Sequence, residues 1–176
     1  MVLSPFDGRL IRLRAIEEED LAPLQEMFWN PDVTRHLTVV WPEPLGGMRA
    51  WWEGRRSEEN AFAFAIETLA GELIGGCDFD VWVRSRTGTL GIWIGEPYWS
   101  QGYGTDAVRI LCRFAFREAN LQRMQLDVYE TNPRGRRAYE RVGFKEEGRM
   151  RRGMFTDGRY IDIIRMGLLA EDLIDP

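Results

Sequence analysis

Trp99-Ser100-Gln101-Gly102-Tyr103-Gly104-Thr105-Asp106-Ala107, WSQGYGTDA, stands between the apolar run LGIWIG at 90–95 and a stretch whose apolar residues recur at helical spacing. Two glycines at such a junction predict a phosphate cradle. The first amides of a helix lack acceptors, and glycine lets an anion approach them without help from a lysine. The Walker pattern is excluded, because no Gly-Lys-Ser/Thr follows. GYGTDA does satisfy the dinucleotide fingerprint G-x-G-x-x-A, and Asp127 lies about 20 residues onward, where a ribose-binding acid would sit. Two features oppose that reading. EPYWSQ separates the first glycine from its strand, and the chain lacks the alternation that about five or six parallel strands would need.

Working outward, GRLIRLRAI alternates apolar and basic residues as a half-buried strand does. EEEDLAPLQEMFW predicts a helix with acids at its start, ended by Asn30-Pro31, and MRAWWEGRRSEE predicts a second one. AFAFAIET and ELIGGCDFDVWV read as strands joined across Leu69-Ala70-Gly71, and SRTGT at 85–89 as a turn into LGIWIG. The helix after the glycines presents Val108, Leu111, Cys112 and Ala115 on one face. MQLDVYE is then a strand, PRGRRAYERV a helix, and FKEEGRM and GRYIDIIRMGLL a last pair of strands around Thr156-Asp157-Gly158. The order predicts one mixed sheet of α/β or α+β type in a single domain over residues 1–176.

Composition narrows the partners. Hydrophobic residues make up 44% and charged ones 29%, as in a soluble globular protein, and no apolar run approaches the roughly 18 residues a membrane span needs. The start MVLSPFDGRL lacks an export pattern, so the expectation is a cytoplasmic protein without a membrane partner. Cys77 and Cys112 lack metal or disulfide spacing and read as small core residues. The single histidine, His36, excludes His-rich metal sites, reads as a loop residue, and titrates near neutrality if it lines a pocket. No metal is expected. Most of the seven tryptophans read as core, but Trp51 and Trp52 cannot both face inward on one helix stripe. Net charge is −5, yet Arg134, Arg136, Arg137, Arg141, Lys145, Arg149, Arg151 and Arg152 crowd a segment with only Glu140, Glu146 and Glu147 against them. A basic island on an acidic chain suits a small polyanion better than a nucleic acid.

WSQGYGTDA followed, after a strand, by Asn132-Pro133-Arg134-Gly135-Arg136-Arg137-Ala138-Tyr139-Glu140-Arg141-Val142-Gly143-Phe144 resembles the GNAT superfamily of acyl-coenzyme A dependent N-acetyltransferases. In that family R/Q-x-x-G-x-G/A marks the pyrophosphate loop, and an Asn precedes by seven residues a Tyr ahead of Gly-Phe; Asn132 and Tyr139 keep this spacing. IRLRAIEEEDL with NPDV, and FKEEGRMRRGMFTDGRYIDIIRMGLL, extend the resemblance toward the RimJ/RimL-like branch of ribosomal-protein N-terminal acetyltransferases and toward spermidine acetyltransferases. The implied fold is a mixed, mostly antiparallel sheet of about six or seven strands flanked by about four helices. Counted from Trp99, the signature lacks its Arg or Gln and the loop is one residue short.

The resemblance also implies roles. Acetyl-CoA would be the co-substrate, its pyrophosphate on the backbone of Ser100, Gln101, Gly102, Tyr103, Gly104 and Thr105, and its pantetheine along Trp93, Ile94 and Gly95. Asn132 would also contact it, with Arg136, Arg137 and Arg141 near the 3′-phosphate. Tyr139 would be the general acid for the leaving thiol, and Asp127 or Glu96 the base for the amine. The acceptor is a protein N-terminus or a polyamine or other small amine, and family members often form homodimers. Two alternatives remain open: a non-catalytic acyl-CoA sensor on the same fold, and a flavin or NAD enzyme built on GYGTDA.

Overall fold

A computed structural model describes residues 4–38 and 41–175. Strand β1 (Ile11–Arg14) obeys its alternation, burying Ile11 and Leu13. Arg14 is drawn inward by Asp20 and Glu67, each at 2.6 Å. Helix α1 (Leu21–Phe28) follows, and Asn30-Pro31 ends it as expected. The same pair opens a further short helix, α2 (Pro31–Thr34), because the Asn30 side chain accepts from the Asp32 amide at 2.9 Å and proline is pre-set for a first helical position. Helix α3 (Leu45–Ser57) then leads into β2 (Ala61–Thr68) and β3 (Leu73–Trp82).

Strand β4 (Thr87–Ile94) begins earlier than its apolar run. Residues 87–89, expected in a turn, are strand because they pair on both sides, with β3 and with β5 (Arg123–Tyr129). Helix α4 (Tyr103–Arg117) joins β4 to β5, and α5 (Pro133–Glu140), β6 (Lys145–Thr156) and β7 (Arg159–Leu169) complete the chain. The seven strands run in the order β1-β2-β3-β4-β5-β7-β6. Every pairing is antiparallel except β4 with β5. The sheet is thus mixed and mostly antiparallel, with five helices; the fifth is the short α2 that the sequence hid behind a helix stop.

The core lies between the sheet and α4, whose predicted face Val108, Leu111, Cys112 and Ala115 is fully buried. Cys77 and Cys112 are both core residues. On the other face α1 and α3 cover Ile16, Leu21, Leu24 and Ala65. The tryptophans depart from expectation: none of the seven is buried, and Trp41 and Trp82 are 63% and 66% exposed. Trp52 packs against the second cluster with its indole N–H on the Ile16 carbonyl, while Trp51 stays at the surface beside Arg55. Among the described residues, no helix is long and apolar enough to cross a membrane.

One buried carboxylate ties α4 to the first strand. Asp106, 3% exposed, accepts from the amides of Leu10 and Ile11 at 2.8 and 3.3 Å and pairs with Arg109 at 3.2 Å. Asp106→Ala strands two amides and a guanidinium, so unfolding free energy is expected to fall by about 2–4 kcal/mol in urea titration. A loss under about 0.5 kcal/mol, the level of an ordinary surface change, would contradict this anchoring.

Candidate active site

The parallel pairing of β4 and β5 covers only Thr87–Thr89 with Arg123–Gln125. Beyond it the strands separate around a cavity of about 660 Å³, walled by residues 90–94 of β4 and 126–129 of β5. The Gly95 amide bonds back to Ile74 of β3 at 2.9 Å, so by antiparallel alternation Leu90, Ile92 and Ile94 turn their amides and carbonyls toward the opening. The Trp99 indole takes the Ile94 carbonyl at 2.7 Å, occupying an acceptor that a longer β5 pairing would have used. A bare strand edge within a cleft is a template for an extended, amide-bearing ligand. Of the three expected residues here, Trp93 and Ile94 line the cavity, while Gly95 is turned back to β3.

Below this edge the glycine segment turns into α4. Ser100 and Gly102 have φ of 61° and 92°, a left-handed backbone that suits glycine at the second position. The first bond of α4 runs from the Asp106 amide to the Gly102 carbonyl at 3.0 Å, leaving the amides of Tyr103, Gly104 and Thr105 without helical acceptors. Ser100, Gly102, Gly104 and Thr105 line the cavity. The Gln101 and Tyr103 side chains do not: Gln101 bonds to the Pro97 carbonyl and Tyr103 faces the Tyr98 ring. The start of α4 also fits a second register of the signature, Gln101-x-x-Gly104, with Asp106 at its last position. In that register the glutamine is present and the departure is Asp106, whose carboxylate is turned away to Leu10 and Ile11.

The basic island divides into two sets. Arg136 pairs with Glu140 and Glu146 at 2.9 and 3.0 Å and is not on the cavity wall; Lys145 and Arg149 are also in ion pairs. Arg134, Arg137 and Arg141 line the cavity and make no ion pair among the described residues. Sequence reasoning passed over Arg134. Its guanidinium lies 3.4 Å from the centroid of the Trp99 ring, a cation–π stack that fixes a charge beside the cradle. Asn132 caps α5, its carbonyl oxygen accepting from the Gly135 amide at 2.9 Å, and it too lines the cavity.

Tyr139 reaches the wall from α5 with its ring edge-on to Phe144 at 6.0 Å. Its hydroxyl has no hydrogen-bond partner among the described residues. Burial pushes this hydroxyl up to about 12, against the lowering effect of Arg134, so the phenol holds its proton at neutral pH.

The carboxylates fall differently from expectation. Asp127 lines the cavity, but Arg165 grips both its oxygens, one at 2.8 Å, and both side chains are more than two-fifths exposed. Glu96 is exposed in the short turn Glu96–Tyr98 and is not on the cavity wall. Sequence reasoning missed Asp78, which lies on β3 opposite Gly91 of β4 and lines the cavity. Its carboxylate fills the space where a side chain at 91 would begin, an oxygen lying 2.3 Å from that point. Arg55 of α3 donates to Asp78 at 2.8 Å and also bonds Asp80. Burial pushes the Asp78 carboxyl up to about 6 despite Arg55, with Asp80 adding to the rise. His36 lines the cavity beside Trp99 with its Nδ1 unpartnered; burial, then Arg134 and Arg35, depress it below its ordinary value. Among the described residues no three His, Cys, Asp or Glu gather to hold a metal.

A mixed, mostly antiparallel sheet of seven strands is the arrangement the sequence resemblance implied. The sequence matches the Acetyltransferase (GNAT) domain over residues 10–145. The chain belongs to the GNAT acetyltransferase family. It is 28% identical over 98% of its length, and 97% of the relative's, to the SPbeta prophage-derived uncharacterized N-acetyltransferase YokL of Bacillus subtilis. Over 88 residues, 50% of this chain and 48% of the other, it is 33% identical to the putative ribosomal N-acetyltransferase YdaF of the same organism. Its fold is that of the Vibrio cholerae spermidine N-acetyltransferase crystallised with CoA and spermine, with a TM-score of 0.86 at 24% identity over 92% of this chain and 96% of that one. In this GNAT protein, then, the overall fold is shared with its relatives, while the Trp99–Arg134 stack and the Arg55-held carboxylates are read from its own side chains.

Proposed function

We propose that this protein transfers the acetyl group of acetyl-CoA to a primary amine by direct attack on the thioester. The observation that carries the reading is the chemical division of one cavity: unpaired helix amides with Arg134, Arg137 and Arg141 toward one end, carboxylates toward the other, and a bare β4 edge between them. The cationic end suits the pyrophosphate and 3′-phosphate of CoA. The β4 edge suits the two amides of pantetheine, and its outward N–H groups suit the oxyanion of the tetrahedral intermediate. As the amine's N–C bond forms and the C–S bond breaks, Tyr139 gives its proton to sulfur.

Asp78 and Asp80 around a single Arg55 leave the acceptor end acidic, which suits a cation. Of the two acceptor classes, this supports a polyamine or similar small amine over a protein N-terminus. The spermine held with CoA by the Vibrio cholerae enzyme is in keeping with that choice.

Thiol release from acetyl-CoA tests the reading and separates it from a cofactor-binding sensor. Spermidine and related diamines are expected to accelerate release by at least about 10²-fold over the amine-free rate, the scale of assisted proton transfer. Tight binding of acetyl-CoA with no amine-dependent release would instead identify a sensor.

A further inference from the structure

We infer that Asp78 receives the acceptor's ammonium group and takes its proton, which makes it the general base of the reaction and directs the enzyme toward aliphatic amines. The inference rests on the transferase reading above. Its geometric basis is the position of the carboxylate. Asp78 is paired in register with Gly91, at the middle of the β4 stretch whose free edge faces the cavity, and only the missing side chain at 91 lets the carboxylate lie there. It reaches the cavity from the sheet face covered by α3, whereas the cradle and Tyr139 belong to α4 and α5. An amine beside Asp78 would therefore approach a β4-bound thioester from the side away from Tyr139.

The surrounding charges fit the role. Arg55 comes from α3 and is shared with Asp80, so the cluster keeps one negative charge, and Glu58 acts on Arg55 from the helix end. Cys77 is the titratable neighbour on the core side of β3 and is held as a neutral thiol by burial. A carboxyl raised to about 6 is ionised at neutral pH yet still accepts a proton readily. Asp127 and Glu96 lack this combination, the first being clasped by Arg165 and the second lying off the cavity wall.

The step balances. The ammonium gives one proton to Asp78, the amine attacks, and the N–C bond forms. The C–S bond breaks and the thiolate leaves with the proton of Tyr139; the second nitrogen proton passes to water, water reprotonates the Tyr139 phenolate, and Asp78 returns its proton to solvent.

The test is the pH dependence of kcat/KM for spermidine with the wild type, Asp78→Asn and Asp78→Glu. An aliphatic amine of pKa near 10.4 is neutral in only about one molecule per thousand or fewer near pH 7. A variant without the base depends on that fraction. The wild type is expected to rise through pH about 6 and then level off. Asp78→Asn is expected to lose about 10²–10³-fold near pH 7, the loss shrinking roughly tenfold per pH unit toward the amine pKa. Asp78→Glu keeps a carboxylate and should keep the plateau, which preserves the test should the Asn variant fold poorly. Wild-type and Asn profiles that run parallel, or an Asn variant with no loss, overturn the assignment even though transfer occurs. A wild type that binds no acetyl-CoA overturns the transferase reading itself, and this inference with it.

Discussion

Replacing Tyr139 by Phe is expected to lower kcat by about 10²-fold, the low end for a general acid, with acetyl-CoA affinity changed by less than about twofold. The low end applies because a thiol of pKa about 8.5 leaves without great difficulty, so the acid assists departure and is not indispensable. The substitution isolates the hydroxyl. The ring keeps its edge-on contact with Phe144, and the hydroxyl has no partner among the described residues to lose. Thermal stability should change little, since the side chain is half-buried on the cavity wall and the substitution breaks no bond among the described residues. Because burial holds the phenol near 12, wild-type activity should show no alkaline limb from Tyr139 below about that pH. A stable variant with unchanged kcat would leave Tyr139 as a packing residue only.

Gly104→Asp is expected to weaken acetyl-CoA binding by at least about 10²-fold in titration calorimetry. A new carboxylate in the first turn of α4 would lie among the three free amides and compete with the pyrophosphate. Two like charges about 4 Å apart near a protein surface repel by about 4 kcal/mol. The variant should still fold, because space is open at this position, the nearest atom to an added Cβ being Ile94 Cδ1 at 3.6 Å. An acid in a first turn also favours the helix dipole. Trp99→Ala is expected to cost less, up to about tenfold, since it removes one cation–π support for Arg134 and one bond to Ile94. The reverse order would mean that the Trp99–Arg134 pair holds the phosphates and the backbone cradle does not.

These expectations mark what local sequence can reveal. Alternation in IRLR and the helical spacing of Val108, Leu111, Cys112 and Ala115 report on burial directly, so the strand and helix order was legible. The helix start with its free amides was legible too, because the glycines mark where α4 begins. Residues 87–89 were misread because their strand character comes from pairing with β5, far along the chain. The tryptophans were misread because size and apolarity indicate burial on average, whereas Trp52, Trp93 and Trp99 only border the packed clusters and Trp41, Trp51 and Trp82 stand at the surface. Asp78 was invisible for a similar reason. In GGCDFD it reads as one of two outward strand acids, and only the approach of Arg55 from α3 and the bare Gly91 in β4 enclose it. The same holds for the basic island, where sequence proximity grouped Arg136 with Arg137 although Glu140 and Glu146 hold Arg136 away from the cavity.

The central claim is that one cavity holds acetyl-CoA at its cationic end and an aliphatic amine at its acidic end. Mass analysis of an incubation of the protein with acetyl-CoA and spermidine tests it most directly. Monoacetylated spermidine is expected in proportion to free CoA, and no such product with Gly104→Asp at the same acetyl-CoA concentration. Spermidine left unmodified, while the protein binds acetyl-CoA and acetylates a peptide α-amine instead, would contradict it.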